Sequence, residues 1–443
     1  MAIIVINRAI PLLAACFALA SAGGAAPAAP TRTIPGTEAP ELGRQGPLPV
    51  GTRAVDLTMP DRLRISPGGI TRADRTIGLR FWYPATVPAG ATRVTYRHLL
   101  QLPLQPAWTW TDDGQAVEGA PLRKGPKAPL VLISHGFGGW STHLSRLAET
   151  LASKGYVVAS IDHRDMRFDS VPTFLLSFGS VLADRAEDQR QVLRRLLSSS
   201  WPVDHPMTAA DPVKVGLIGY SMGGYGALAT AGAVPDAAAT GLAQLPEEAR
   251  TQAVRADPAT AGLIKSIVLI APWGGQSDNR VWRPESLARV TAPTLVVGGD
   301  RDPVVKFDTG IRWIFDSLRS TSRRLLVYRE AQHNIAGNAA SIGERAPAGV
   351  SNYLRDPVWR GDRINQINQH FITAFLDLTL RGDRSRSAYL DVATAVAADG
   401  TWPVPFGEQT DGLVAGPGQP NYWRGFQRGS AVGLELHAKR AGE

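Results

Sequence analysis

Seven short apolar runs constrain the fold of this chain more than any other feature. They are LRFWY (79–83), PLVLIS (129–134), YVVASI (156–161), VKVGLI (213–218), KSIVLI (265–270), TLVVGG (294–299) and RRLLVY (323–328). Their length, their β-branched content and their Gly, Pro and Asp borders predict strands. Apolar side chains on both faces suit a parallel sheet covered by helices above and below. The stretches between them carry helical spacing: Leu182, Ala186, Leu193 and Leu197 in one, and Ile364, Ile367, Phe371, Phe375 and Leu378 in another. Such alternation predicts an α/β chain with a mostly parallel, doubly wound sheet and helices on both faces. A hydrophobic share of 44% in 443 residues supplies the large core this needs.

The ends and the inserted stretches depart from this rhythm. Arg8, then the apolar run AIPLLAACFALA, then Ala20-Ser21-Ala22 describe a secretory signal peptide over 1–22. The run is too short to span a bilayer permanently, and no later segment predicts a transmembrane helix. The single cysteine, Cys16, lies within it, so cleavage after Ala22 leaves a cysteine-free chain, secreted or periplasmic. Leu13-Ala14-Ala15-Cys16 also resembles a lipobox, which would instead leave an envelope lipoprotein anchored through Cys16. Residues 23–50, rich in Ala, Pro and Gly, predict a flexible leader. A catalytic domain is expected over 51–385, with insertions near 85–128 and 231–262 that wall the site. Residues 386–443 form a C-terminal extension packed on the same domain, ending in the strand-like VGLELHAK.

Four motifs sit at strand ends. The run VKVGLIGYSMGGYGALA places Gly219-Tyr220-Ser221-Met222-Gly223 between a strand and a helix. This G-x-S-x-G pattern is that of a nucleophile elbow, in which glycines permit a tight turn and the serine projects at a helix N-terminus. With 45 glycines in the chain, about one such sequence in four carries an accidental match, so the strand–helix context gives the pattern its weight. Ser134-His135-Gly136-Phe137-Gly138-Gly139 follows PLVLIS and predicts an oxyanion loop, with the amides of Phe137 and Met222 as donors. Gly299-Asp300-Arg301-Asp302-Pro303-Val304 ends a later strand and offers two acids. Asp302 fits the spacing G-x-x-D-x-x-V, and Asp300 competes as a loop-capping residue. His333, in Ala331-Gln332-His333-Asn334, is the histidine that follows this acid in a loop, whereas His370 falls in a helical stretch and His437 in the tail. The order Ser221, Asp302, His333 matches one known arrangement of a Ser-Asp-His triad and differs from two others.

The chain resembles the dienelactone-hydrolase-like branch of the α/β-hydrolases. It is similar to predicted bacterial dienelactone hydrolases and to platelet-activating-factor acetylhydrolases through Phe81-Trp82-Tyr83-Pro84, His135-Gly136-Phe137-Gly138-Gly139, Asp162-His163-Arg164-Asp165, the elbow and His333. Ala271-Pro272-Trp273 through TAPTLVVGGDRDPVV also resembles bacterial cutinases and polyester hydrolases, which implies that Trp273 flanks a substrate cleft. The chain departs from dienelactone hydrolases proper, which use cysteine where Ser221 stands.

The expected activity is ester hydrolysis through an acyl-enzyme, on a small-molecule, lipid or polymer ester. A peptidase or amidase, or a binding protein that kept the fold, are the alternatives from other classes. No H-E-x-x-H or clustered ligand spacing occurs, so no metal or other cofactor is expected. The formal charge is +8, but Lys and Arg are scattered, and nucleic acid is not an expected partner. His163-Arg164-Asp165 matches a kinase triplet without its glycine loop, lysine or D-F-G.

Overall fold

Each of the seven apolar runs lies on a strand of one ten-stranded sheet, ordered β12-β11-β10-β9-β8-β6-β7-β2-β1-β5. The strands are β1 (Val50–Ser66), β2 (Gly69–Pro84), β5 (Val117–Glu118), β6 (Ala128–Ser134), β7 (Val157–Asp162), β8 (Ala210–Tyr220), β9 (Ile264–Ile270), β10 (Thr294–Gly299), β11 (Ser322–Tyr328) and β12 (Leu434–Arg440). From β7 to β11 every pairing is parallel. β2 on one side and β12 on the other are antiparallel to their neighbours. The computed structural model describes residues 39–443, apart from 101, 103, 104, 339–341, 343–345, 402–421, 428 and 442. The expected signal segment 1–22, with Cys16, and residues 23–38 of the expected leader lie outside the described residues.

Helices cover both faces, as the alternation of β8 requires. At Gly216 an added Cβ meets Leu376 and Leu380 of helix α5 (Gly361–Leu380); at Gly219 it meets the backbone of helix α3 (Met222–Thr230). Positions of opposite parity face opposite sides of a strand. Helix α1 (Ser145–Ser153) packs with α5, and helix α2 (Val171–Ser198) with α3. α2 begins well before the expected stretch at Leu182; Ser170 and Thr173 cap its start reciprocally, with Pro172 in the first turn.

β1 carried no apolar run. Its Pro60 and Asp61 sit at a register shift between Met59 and Arg62, and its outer side is covered only by the two-residue β5. A strand this near the sheet edge keeps one face wet, so polar residues interrupt its pattern.

The inserted stretch 85–128 holds a separate hairpin, β3 (Thr95–Leu100) with β4 (Trp108–Asp113). Leu100 and Trp110 from it form a second small core with Val350 and Leu354 of helix α4 (Ala348–Leu354), and Tyr353 packs against that core. Residues 231–262 form three short helices, Thr240–Ala243, Glu247–Ala253 and Pro258–Ala261. The last part of the expected leader is held in place: Leu42 N–H donates to His370 Nδ1 at 3.1 Å, and Ala39 is buried.

Candidate active site

Ser221 stands between β8 and α3 with φ 51° and ψ −115°, a conformation a non-glycine residue adopts at a cost of about 1–3 kcal/mol. The surrounding backbone holds it there. Its N–H donates to Ile270 O at 2.9 Å, and its carbonyl accepts from Gly224 at 2.8 Å and from Tyr225 and Trp273 at 3.1 Å each. The flanking glycines are required: a Cβ at Gly219 would lie 2.3 Å from Gly223 O, and one at Gly223 would lie 2.1 Å from Ser134 O.

The loops after β8, β10 and β11 converge at the same sheet edge. His333 Nε2 lies 3.1 Å from Ser221 Oγ, and His333 Nδ1 lies 2.7 Å from Asp302 Oδ2. The other oxygen of Asp302 accepts from the amides of Val304 at 2.8 Å and Val305 at 3.0 Å. Burial pushes the Asp302 carboxyl up, but His333 and these two amides outweigh it and hold it below the ordinary range. Gly299 lets the two loops approach, since a Cβ there would sit 2.4 Å from Ala331 O. Asp300 faces elsewhere: it accepts from Glu330 N at 2.6 Å and pairs with Arg329 at 3.0 Å. His370 is buried in α5, and His437 on β12 bonds Glu435.

The His135–Gly139 loop lies against the elbow, where a Cβ at Gly136 would be 3.3 Å from Ser221 Cβ. The Phe137 and Met222 amides donate to no protein acceptor among the described residues. Trp273, at the end of β9, is only 7% exposed and meets Phe178 and Tyr225 edge-on at 5.3 and 5.8 Å. Phe178 continues into Phe137, Phe174 and Phe168, with ring centroids 5.2–5.9 Å apart. Exposed Met166, Val171 and Leu175 occupy the same segment. The phenylalanines of α2 were not legible as site residues in the sequence; the aromatic spacing 174/178 on one helix face was the available signal.

A second Ser-His-Asp arrangement lies behind the loop. Ser134 Oγ is 2.8 Å from His163 Nε2, and His163 Nδ1 is 2.9 Å from Asp188 Oδ2. All three residues are fully buried, and Asp188 is neutralised by Arg62 and Arg75. With Ser134 at 0% exposure, its hydroxyl is enclosed by the packing around it, unlike Ser221 at 7%. Among the described residues, no group of three or more His, Cys, Asp or Glu is disposed to hold a metal ion, and no helix is long and apolar enough to cross a membrane.

Residues 92–177 match the family model for platelet-activating factor acetylhydrolase, isoform II. The segment contains the β3–β4 hairpin, the His135–Gly139 loop and Asp162–Asp165. The chain has the α/β-hydrolase fold. It is 50% identical to the platelet-activating factor acetylhydrolase of Canis lupus familiaris over 46 residues, 10% of each chain. It is 23% identical to cutinase 1 of Thermobifida cellulosilytica over 226 residues, 51% of this chain and 68% of the cutinase. A solved ferulic acid esterase from Streptomyces cinnamoneus shares the fold, with a TM-score of 0.50 and 20% identity over 76% of this chain and 91% of that one. The chain thus spans about a tenth of the length of the acetylhydrolases it matches.

Proposed function

We propose that this α/β-hydrolase cleaves carboxylic esters through an acyl-enzyme on Ser221. The reading rests on one observation above the rest: Ser221 Oγ, both ring nitrogens of His333 and a buried, hydrogen-bonded Asp302 carboxylate form one chain of contacts, with the serine on a strained turn. His333 Nε2 takes the proton as Oγ attacks the ester carbonyl. The oxyanion forms against the Phe137 and Met222 amides, each worth roughly 3–4 kcal/mol to the transition state. Protonated His333 then gives its proton to the leaving alkoxide, and the alcohol departs. Water, deprotonated by His333, attacks the acyl-enzyme and returns Ser221 Oγ. Asp302 holds the Nδ1–H tautomer and balances the imidazolium charge.

On the acyl side, Trp273, Phe178, Phe137 and Phe174 offer an apolar surface beginning at Ser221 and continuing outward. That surface fits an ester with an apolar acyl or aryl group, the chemistry that lipid and polyester substrates share. The N-terminal segment supports action outside the cytoplasm, with a mature N-terminus near Gly23. Hydrolysis of p-nitrophenyl esters of increasing acyl length, set beside the matching anilides, tests the reading. Turnover of esters far above anilides is expected, whereas preferential anilide cleavage would make the protein an amidase.

A further inference from the structure

The conformation of the His135–Gly139 loop depends on two successive peptide planes, and different groups fix each. The Gly136–Phe137 plane carries the Phe137 N–H. Its carbonyl oxygen, Gly136 O, is bonded by His135 Nδ1 at 2.6 Å and by Gly139 N at 3.2 Å. With the carbonyl tied on one side, the Phe137 N–H is turned to the other, away from these partners. His135 donates through Nδ1 because its Nε2 accepts the amide of His163 at 3.1 Å. Burial drives both histidines down to about 3, so each stays neutral with a fixed tautomer.

The next plane, Phe137–Gly138, is clamped at both ends. Tyr353 Oη donates to Phe137 O at 2.7 Å. Asp165 Oδ2 accepts the Gly138 N–H at 2.9 Å. Arg185, buried in α2, holds the same carboxylate oxygen at 2.7 Å. Gly138 has φ +66°, and glycine reaches either sign of φ at little cost, so the two hydrogen bonds favour one orientation of this plane.

We propose that Asp165 and Tyr353 are positioning residues that lock the oxyanion loop by gripping opposite ends of the Phe137–Gly138 peptide. Asp165 belongs to the Asp162-His163-Arg164-Asp165 string, whose histidine amide also orients His135. The string therefore serves as a buckle between β7 and the loop after β6. Neither residue bonds Ser221, Asp302 or His333; they bond the loop. Their effect reaches the reaction through the direction of the Phe137 N–H, so the inference rests on the oxyanion role given to that amide.

Two double variants isolate the Gly138 hydrogen bond from the buried charge. Asp165→Asn with Arg185→Gln removes both charges and keeps a carbonyl acceptor for Gly138. Asp165→Ala with Arg185→Gln removes the same charges and the acceptor as well. Relative to the first, the second is expected to lose about 10–100-fold in kcat with KM within twofold. Its Ki for an alkyl trifluoromethyl ketone, which forms an oxyanion on the nucleophilic serine, should rise by the same factor. Tyr353→Phe, which removes only a hydroxyl, should lose roughly 3–10-fold in kcat and in ketone affinity together. Melting curves establish that each variant is folded. If the alanine variant does not fold, Tyr353→Phe decides alone. Unchanged kcat and Ki in the folded variants, or a rise in KM with Ki unmoved, would overturn the proposal. Retained hydrolysis by Ser221→Ala would instead remove the reading of Ser221 itself.

Discussion

Asp302 and Asp300 lie two residues apart on the same turn, yet only Asp302 reaches His333: its Oδ2 is 2.7 Å from Nδ1, while Asp300 pairs with Arg329. The difference arises from β10, which ends at Gly299 and sends Asp302 inward, where the amides of Val304 and Val305 fix its other oxygen.

Asp302→Asn should therefore lower kcat by a factor of up to about ten thousand, because an amide stabilises the wrong imidazole tautomer. Asp300→Asn should leave kcat within a few-fold and act on stability through Arg329 and the Glu330 amide. Parallel kinetics and melting curves check this; equal losses of kcat would reassign the acid.

That pairing was half legible in the sequence. The spacing from Gly299 favoured Asp302, and the strand runs located every loop that bears a site residue, because buried parallel strands need continuous apolar segments. Strand β1, one from the sheet edge, was missed for the converse reason. Asp165 stood in a string that carried the resemblance and Tyr353 in none, and the role of neither was legible: they bond the loop from 27 and 216 positions away, and side chain–backbone bonds at such range depend on the finished packing. The start of α2 was hidden by Pro172 and Gly179, residues that weaken a helical pattern even where capping and packing sustain the helix.

Trp273→Ala should cost stability as well as activity. The indole is buried between Phe178 and Tyr225, so truncation should remove about 3–5 kcal/mol. Phe174→Ala and Phe178→Ala act nearer the outer part of the aromatic surface. Loss of one ring contact is worth about 1 kcal/mol, or roughly fivefold in kcat/KM for long-acyl and aryl esters, with acetyl esters unaffected. A uniform loss across acyl lengths would remove these rings from the substrate path.

Stability should fall steeply as pH drops below 6.5. His135, His163 and His370 are buried with pKa near 3, and His143 near 4. The unfolded chain binds protons at these sites from pH 6.5 downward while the native chain does not. Each site thus removes up to about 1.4 kcal/mol per pH unit until its native pKa is reached. Urea unfolding between pH 7 and 4.5 should show net proton uptake on unfolding; a flat profile would mean these rings are charged in the native state.

The buried Ser134-His163-Asp188 arrangement supplies an internal control for the nucleophile. A fluorophosphonate probe followed by peptide mass spectrometry should place one adduct on the Gly219–Gly223 peptide, at Ser221, and none on Ser134. Ser221→Ala should abolish both the adduct and ester turnover while keeping the melting temperature, since the lost hydroxyl fills little volume. An adduct on Ser134, or ester hydrolysis persisting in Ser221→Ala, would contradict the account.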